Sequence, residues 1–425
     1  MNGELPATST VSRLAIHGGE PTITRPGPHF RWPVISDDTR RAVLRQLDEA
    51  VSLYDRSGVV ARLEQRLETA LGVPHALLFN SGTSALFALF AGAALGPGDE
   101  VLVPDYSFFA SSSPLFFTGA TPVLVDCDGS GNMDPEKARE LITQRTRAVL
   151  VTHMWGVPCD MDAFTGLCRD RGLRLFEDIS HSFGATWKGR PVGTFGTAAA
   201  LSLQAQKILP GGEGGVLLTG DDELFHRALA LGHYTKRCLQ EIPEGHLLHS
   251  YGVTGLGLKL RIHPLAAAIA EQQLDTVPAV LAGRRRCARR ILQELRAIPG
   301  IDLPPIAEQA EPSWYGLFFS LDRDLVQRGL VADVLAALRA EGCCEIDHPK
   351  ITSPVHRYPL FRDPGRVHPG YGTLPERDFP VAEAFSARSF KLPVWHEEAD
   401  DPLVGQYLEA IRKVMNHFMR GGDGA

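Results

Sequence analysis

The chain has 425 residues with 43 basic and 50 acidic side chains, a net charge of −7 with histidine neutral. It is long enough for two domains and lacks the cationic excess that favours nucleic acid or an anionic membrane, so small molecules are the expected partners. An apolar content of 44% with 22% charged residues is that of a folded chain, and seven scattered cysteines fit neither a disulfide framework nor a zinc ligand set. With no signal peptide evident, the cysteines point to a reducing cytoplasm.

Residues 1–35, rich in Gly, Pro and Thr, read as an extended arm. "DDTRRAVLRQLDEAV" and "VVARLEQRLETALG" carry helical periodicity, the second stopped by Gly72. Short apolar runs then alternate with helical ones. "HALLF" precedes "TSALFALFAGAALG", "EVLVP" precedes "FFASSSPLFFTG", "TPVLVD" precedes "DPEKARELIT", and "RAVLVTH" precedes "MDAFTGLCRD". "LRLFED", "ALSL" and "GGVLLT" complete the strand set. The stretch from His75 to Gly96 is the most apolar, but "NSGTS" interrupts it, which fits a strand, turn and helix rather than a membrane span. Continuous apolar strands separated by helices predict an α/β fold whose mostly parallel sheet is covered on both faces.

A long helical zone, roughly His263 to Ile298, leads to "YGLFFSL" and "LVADVLAALRAEG". We therefore expect a large domain over 36–285 and a smaller C-terminal α+β domain over 286–425. The Pro, Gly, His and Arg-rich stretch from His348 to Phe379 reads as a surface loop, and the basic segment "GRRRCARRILQEL" as a solvated or interdomain face.

Three motifs carry chemistry. In "NSGTSAL" the amides of Gly82, Thr83 and Ser84 would emerge at a helix N-terminus, where unpaired donors and the dipole suit a phosphate. "LRLFEDISHSFGA" places Asp178 at the carboxyl end of a strand, where it could keep a ring nitrogen protonated, with His181 three residues on. Lys207, one of only eight lysines, follows the "ALSL" strand and Ser202, and precedes glycines at 211, 212, 214 and 215. In a partly dry pocket its amine becomes a nucleophile toward an aldehyde. Each motif alone has an ordinary reading, as an N-cap, a helix-capping aspartate with a structural histidine, and a solvated lysine. Together and in this order they match the needs of pyridoxal 5′-phosphate (PLP).

The ordered set "LGVPHALLFNSGTSALFALFAGAALGPGDEVLVPDYSFFAS", "EDISHSFGATWKGRPVG", "SLQAQKILPGGEGGVLLT", "GLGLKLRIHPLAAAIAEQQL" and "SFKLPVW" resembles the DegT-like sugar and cyclitol aminotransferases, which are fold type I PLP enzymes. The likeness spans about residues 13–395. It implies Lys207 as the lysine that carries the cofactor, Asp178 as partner of the pyridine nitrogen and His181 near the 3′-oxygen. It implies Phe108 stacked on the ring, and Gly82, Thr83 and Ser202 around the phosphate. It further implies a homodimer with sites completed by the neighbouring subunit's "GLGLKLR" loop, where Lys259 stands in place of the family's frequent Asn and either reaches the other subunit's phosphate or is solvated.

Ile208 stands where the family often has Asn after the lysine, so "QKILPGGEGG" looks closer to the branch acting on cyclitol ketones and the aminohydroxybenzoate precursor. The resemblance implies transfer of an amino group from glutamate or glutamine to a keto-sugar or keto-cyclitol, in aminosugar or aminocyclitol antibiotic biosynthesis. Dehydratase members carry histidine in place of the lysine, so Lys207 favours transamination. An eliminase resembling aminohydroxybenzoate synthase and a non-catalytic regulator keeping the fold are the alternatives.

Overall fold

The computed structural model describes residues 13–420, so residues 1–12 of the expected arm lie outside the described residues. Helix α1 (Asp37–Glu49) starts at Ser36, whose side chain accepts from the Thr39 amide, and α2 (Gly58–Leu71) ends at Gly72 with φ 66°. Seven strands follow: β1 (His75–Phe79), β2 (Glu100–Pro104), β3 (Thr121–Val125), β4 (Thr146–Thr152), β5 (Arg174–Asp178), β6 (Ala198–Ser202) and β7 (Gly215–Thr219). They form one sheet in the order β1-β7-β6-β5-β4-β2-β3. Only β7 runs against its neighbours.

Both faces of this sheet are dry, which explains why its strands read as unbroken apolar runs. Alternate residues of β1 go to opposite sides: Leu77 and Phe79 pack with α3 (Gly82–Gly92), while Ala76 and Leu78 pack with Val59, Leu63 and Leu67 of α2. The expected helix over "FFASSSPLFFTG" is instead a 3-10 turn, Phe109–Ser111, and a short helix, Leu115–Thr118. Pro114 has no amide to continue an earlier helix and sits at the start of the second one.

A second, antiparallel sheet holds β8 (Ile301–Asp302), β9 (Leu317–Leu321) and β10 (Ser389–Leu392) in that order. A single 32-residue helix, α4 (Pro264–Leu295), runs through position 285. Its Ala267, Ala270 and Leu281 join the large-sheet core, and its Ala288, Ile291 and Leu295 join the core of the smaller sheet. Leu14 and Ile23 of the arm are buried in that smaller core as well.

The segment 348–379 is not a simple surface loop. Val355, Phe361 and Phe379 are buried in the large-sheet core, and Ser353–Pro354 pair with Tyr106–Ser107. Three apolar anchors spaced between prolines are enough to bind an irregular segment down. The basic stretch of α4 joins elements rather than facing solvent: Arg284 donates to the Trp314 carbonyl, Arg285 to those of Pro312 and Gly184, and Arg290 to that of Asp401.

One buried ion pair ties the helices to the sheet. Glu64 of α2 is fully buried and accepts from Arg237 at 2.9 and 3.1 Å, from Arg56 at 2.9 Å and from the Leu78 amide at 3.1 Å. Removing Glu64 strips Arg237 of one of its two carboxylate partners, Glu241 staying bonded at 2.6 and 3.0 Å, and leaves the buried Leu78 amide without its acceptor. Glu64→Ala should therefore lower the unfolding free energy by about 2–3 kcal/mol. Urea denaturation followed by circular dichroism checks this, and a loss no larger than that of a surface ion pair, about 1 kcal/mol, would contradict it.

Candidate active site

The parallel register sets the site. Thr152 of β4 pairs with Asp178 of β5, and Asp178 with Ala200 of β6, so the carboxyl ends of three strands finish side by side. Against them stands the N-terminus of α3, where a Cβ on Gly82 would lie 2.7 Å from the Ser202 Cβ. Gly215 admits β7 to the same corner, since a Cβ there would meet the Ser81 carbonyl oxygen at 2.2 Å. No bulkier residue fits either position. A cavity of about 700 Å³ opens at this corner and is lined by Gly82, Thr83, Phe108, Asp178, His181, Ser202 and Lys207.

The loop after β6 folds back tightly, which fixes Lys207. Gly211 donates to Leu203 at 2.7 Å, Ala205 to Gly212 at 2.9 Å, and the Lys207 amide to Gln204 at 2.9 Å. Gly212 has φ 88°, a conformation that favours glycine. Ile208 and Leu209, directly after the lysine, are buried and anchor the loop. From the arm, Trp32 donates its indole N–H to the Lys207 carbonyl at 2.9 Å.

Asp178 is buried and held at both oxygens. Oδ2 accepts from Ser111 Oγ at 2.7 Å and Oδ1 from the Ser180 amide at 3.0 Å. Burial pulls the Lys207 amine down to about 8; Asp178 opposes the shift and Lys391 adds to it. The His181 ring stacks on Tyr315, with centroids 4.2 Å apart and planes 11° apart. Burial, together with Lys207 and Lys391, holds His181 well below the ordinary histidine range, so it is neutral at pH 7. Its buried Nδ1 has no hydrogen-bond partner among the described residues.

Two expected residues stand apart from this cavity. Ser84 closes the helix cap: its amide donates to Ser81 Oγ at 3.0 Å and its hydroxyl to Asn80 Oδ1 at 2.7 Å, so Ser81 lines the cavity in its place. Lys259 is exposed and does not line the cavity of its own chain.

Other residues in the site were not singled out from sequence. Ser111 lies in a serine run within an apolar stretch, which is a readable signal. Trp155 has φ 58° followed by Gly156 at φ 89°, and Trp314, next to Tyr315, has φ 58°. Trp155 lines the cavity while Trp314 packs in the smaller core, and sequence does not display a positive φ at bulky residues. Lys391 carried a local signal of its own, a charge in the middle of an apolar strand.

Comparison with known proteins places this architecture. Residues 36–408 match the DegT/DnrJ/EryC1/StrS aminotransferase family. The chain belongs to this aminotransferase family. It is 34% identical over 430 residues to the putative L-glutamine:3-amino-2,3-dideoxy-scyllo-inosose aminotransferase of Micromonospora echinospora, covering 96% of this chain and 98% of that one. It is 32% identical over 393 residues to the spore coat polysaccharide biosynthesis protein SpsC of Bacillus subtilis, covering 91% and 96%. The crystal structure of S. venezuelae DesV superposes with a TM-score of 0.73 at 29% identity, covering 89% and 94%. The aminotransferase thus has the α/β fold type I architecture expected of it. Among its described residues no helix is long and apolar enough to cross a membrane.

The state of the Lys207 amine is open to direct measurement. Without added cofactor, acylation of Lys207 followed by peptide mass spectrometry should have its midpoint near pH 8, whereas a midpoint at the ordinary 10.5 would contradict the burial argument. Between these values the unfolded chain binds more protons at this site than the folded one. The lysine's contribution to stability therefore rises with pH through that window.

Proposed function

We propose that this aminotransferase is PLP-dependent and moves an amino group from glutamate or glutamine to the ketone of a sugar or cyclitol. The observation that carries the reading is the Lys207 side chain held in the same cavity as the buried carboxylate of Asp178, with burial pulling its amine below the ordinary lysine range. Three features fit the cofactor. The first-turn amides of α3 have no intrahelical partners, and the glycine at their head leaves room only for Ser202 beside it. Asp178 is an anchored anion suited to a protonated ring nitrogen. The Nδ1 of His181 is a buried polar atom awaiting a partner.

In this reading Gly82, Thr83 and Ser202 hold the phosphate, and Phe108, 37% exposed at the cavity wall, covers the ring. Bound PLP supplies an aldehyde that condenses with amines and a ring that takes up an electron pair. Asp178 keeps the ring nitrogen charged, with Ser111 fixing its carboxylate. Neutral His181 hydrogen-bonds without adding a second positive charge beside Lys207. Lys207 Nζ, its proton affinity lowered by burial, takes a proton and returns it within the cavity. A cyclitol acceptor is favoured by the relative of 34% identity named for a scyllo-inosose substrate.

We further propose a homodimer that completes each site. Val253, Leu256 and Leu258, flanking Lys259, are exposed apolar residues whose burial needs a partner, and a second subunit would bring Lys259 to the neighbouring phosphate. The seven cysteines are unpaired, in keeping with a reducing cytoplasm.

Lys207→Ala should abolish the cofactor's visible absorbance and all transamination, while Asp178→Asn should retain bound cofactor and lose on the order of 10²–10³-fold in turnover. Spectra and assays with glutamate, glutamine, keto-cyclitols and nucleotide-linked keto-sugars check this. Full turnover in Lys207→Ala would overturn the proposal.

A further inference from the structure

Three of the chain's eight lysines line the cavity, Lys207, Lys350 and Lys391, and no arginine is among its lining residues. Lys391 sits in β10 between Phe390 and Leu392, both of which are buried in the smaller core. Strand alternation therefore turns Lys391 to the opposite face, toward the cavity. Its Nζ stands 5.6 Å from the ring centroid of Trp155 and 5.9 Å from that of Tyr315.

The backbone holds it firmly. Lys391 pairs with Phe318 of β9 on one side, and on the other exchanges hydrogen bonds of 2.7 and 3.0 Å with Asp347. Yet no carboxylate forms an ion pair with Lys391 among the described residues. Burial pulls its amine below the ordinary lysine range, against the weaker opposing pull of Asp347 and Glu345. A cation kept in a half-dry wall without an anion is costly unless something that binds there supplies one.

Resting on the transamination reading above, we propose that Lys391 binds the α-carboxylate of the amino-acid donor and so selects amino acids over neutral amines. The argument is one of reach. In an α-amino acid the carboxylate carbon is two bonds from the nitrogen that is exchanged, so its cation must lie close to the amine of Lys207. Lys391 does, for both amines stand beside one ring in the same cavity, Lys207 Nζ 4.9 Å and Lys391 Nζ 5.9 Å from the Tyr315 centroid. Lys350 is exposed, so water solvates its charge and no bound anion is needed to offset burial.

The test uses the PLP-loaded enzyme and the variants Lys391→Met and Lys391→Arg, with single-turnover half-reactions followed by the cofactor spectrum. For L-glutamine and L-glutamate, Lys391→Met should raise the half-saturating concentration on the order of 10- to 100-fold while largely preserving the limiting rate. Lys391→Arg should keep most of the affinity. Isoglutamine, whose α-carboxylate is an amide, should bind the native enzyme about as weakly as L-glutamate binds Lys391→Met, and the variant should no longer tell the two apart.

Calorimetric titration with glutarate gives a second readout that needs no turnover, and Lys391→Met should bind it at least about 10-fold more weakly. Unchanged donor saturation in Lys391→Met overturns the proposal. So does an equal loss for glutamate and isoglutamine, which marks a structural role, and so does a loss confined to the keto acceptor. If the native enzyme gives no spectral change with any donor, it is the transamination reading that fails, and the glutarate titration still decides whether Lys391 holds a carboxylate.

Discussion

The hydrogen-bond register between β5 and β6 is the constraint on which the site depends. Pairing Asp178 with Ala200 puts the buried carboxylate two residues short of Ser202 on the neighbouring strand, and the chain then has only a tight loop in which to present Lys207. A slip of one residue would turn Asp178 into the opposite face of the sheet, since strand side chains alternate. The dry cores on both faces prevent that slip, because Leu175 and Phe176 of β5, packed on opposite faces, would change sides with it.

Charge in the cavity follows from that geometry. The wall is aromatic and aliphatic, with Trp155, Tyr315 and Leu86 among its residues, so cations near it are poorly solvated. Asp178 is the deeply held anion, and its oxygens are already bonded to Ser111 and Ser180. Lys207 and Lys391 are both depressed by burial, and both lower the affinity of His181 for a proton. The protein thus keeps amines neutral or hungry for an anion in one small volume, an arrangement suited to exchanging an amino group between carboxylate-bearing and carbonyl-bearing molecules. Arg284 shows the same economy farther out. Burial brings it down to about 10, and it lies 4.7 Å from the ring of Trp32, the residue that clamps the Lys207 carbonyl.

Much of this was legible in the chain itself. The rhythm of apolar runs and helices gave the parallel sheet, because strands buried on both faces must be apolar throughout. Asp178 was visible because it ends an apolar strand, and His181 and Lys207 because they follow such strands within three and five residues. Other features depend on contacts far apart in sequence. Ser111 reaches Asp178 across 67 residues, and Trp32 reaches Lys207 across 175. The irregular stretch 348–379 hid three core anchors among prolines and charges, and the helix through position 285 carries one periodic face past two different cores. At Ser84 a cap and a phosphate cradle call for the same residue types, and the sequence alone does not show the hydrogen bond that its hydroxyl makes to Asn80.

The most direct measurement of the central claim is chemical trapping. Protein reconstituted with pyridoxal 5′-phosphate is reduced with borohydride, digested and mapped by mass spectrometry. The account predicts a pyridoxyl group on the peptide containing Lys207 and on no other. A stable link at Lys350 or Lys391, or none anywhere, would contradict it.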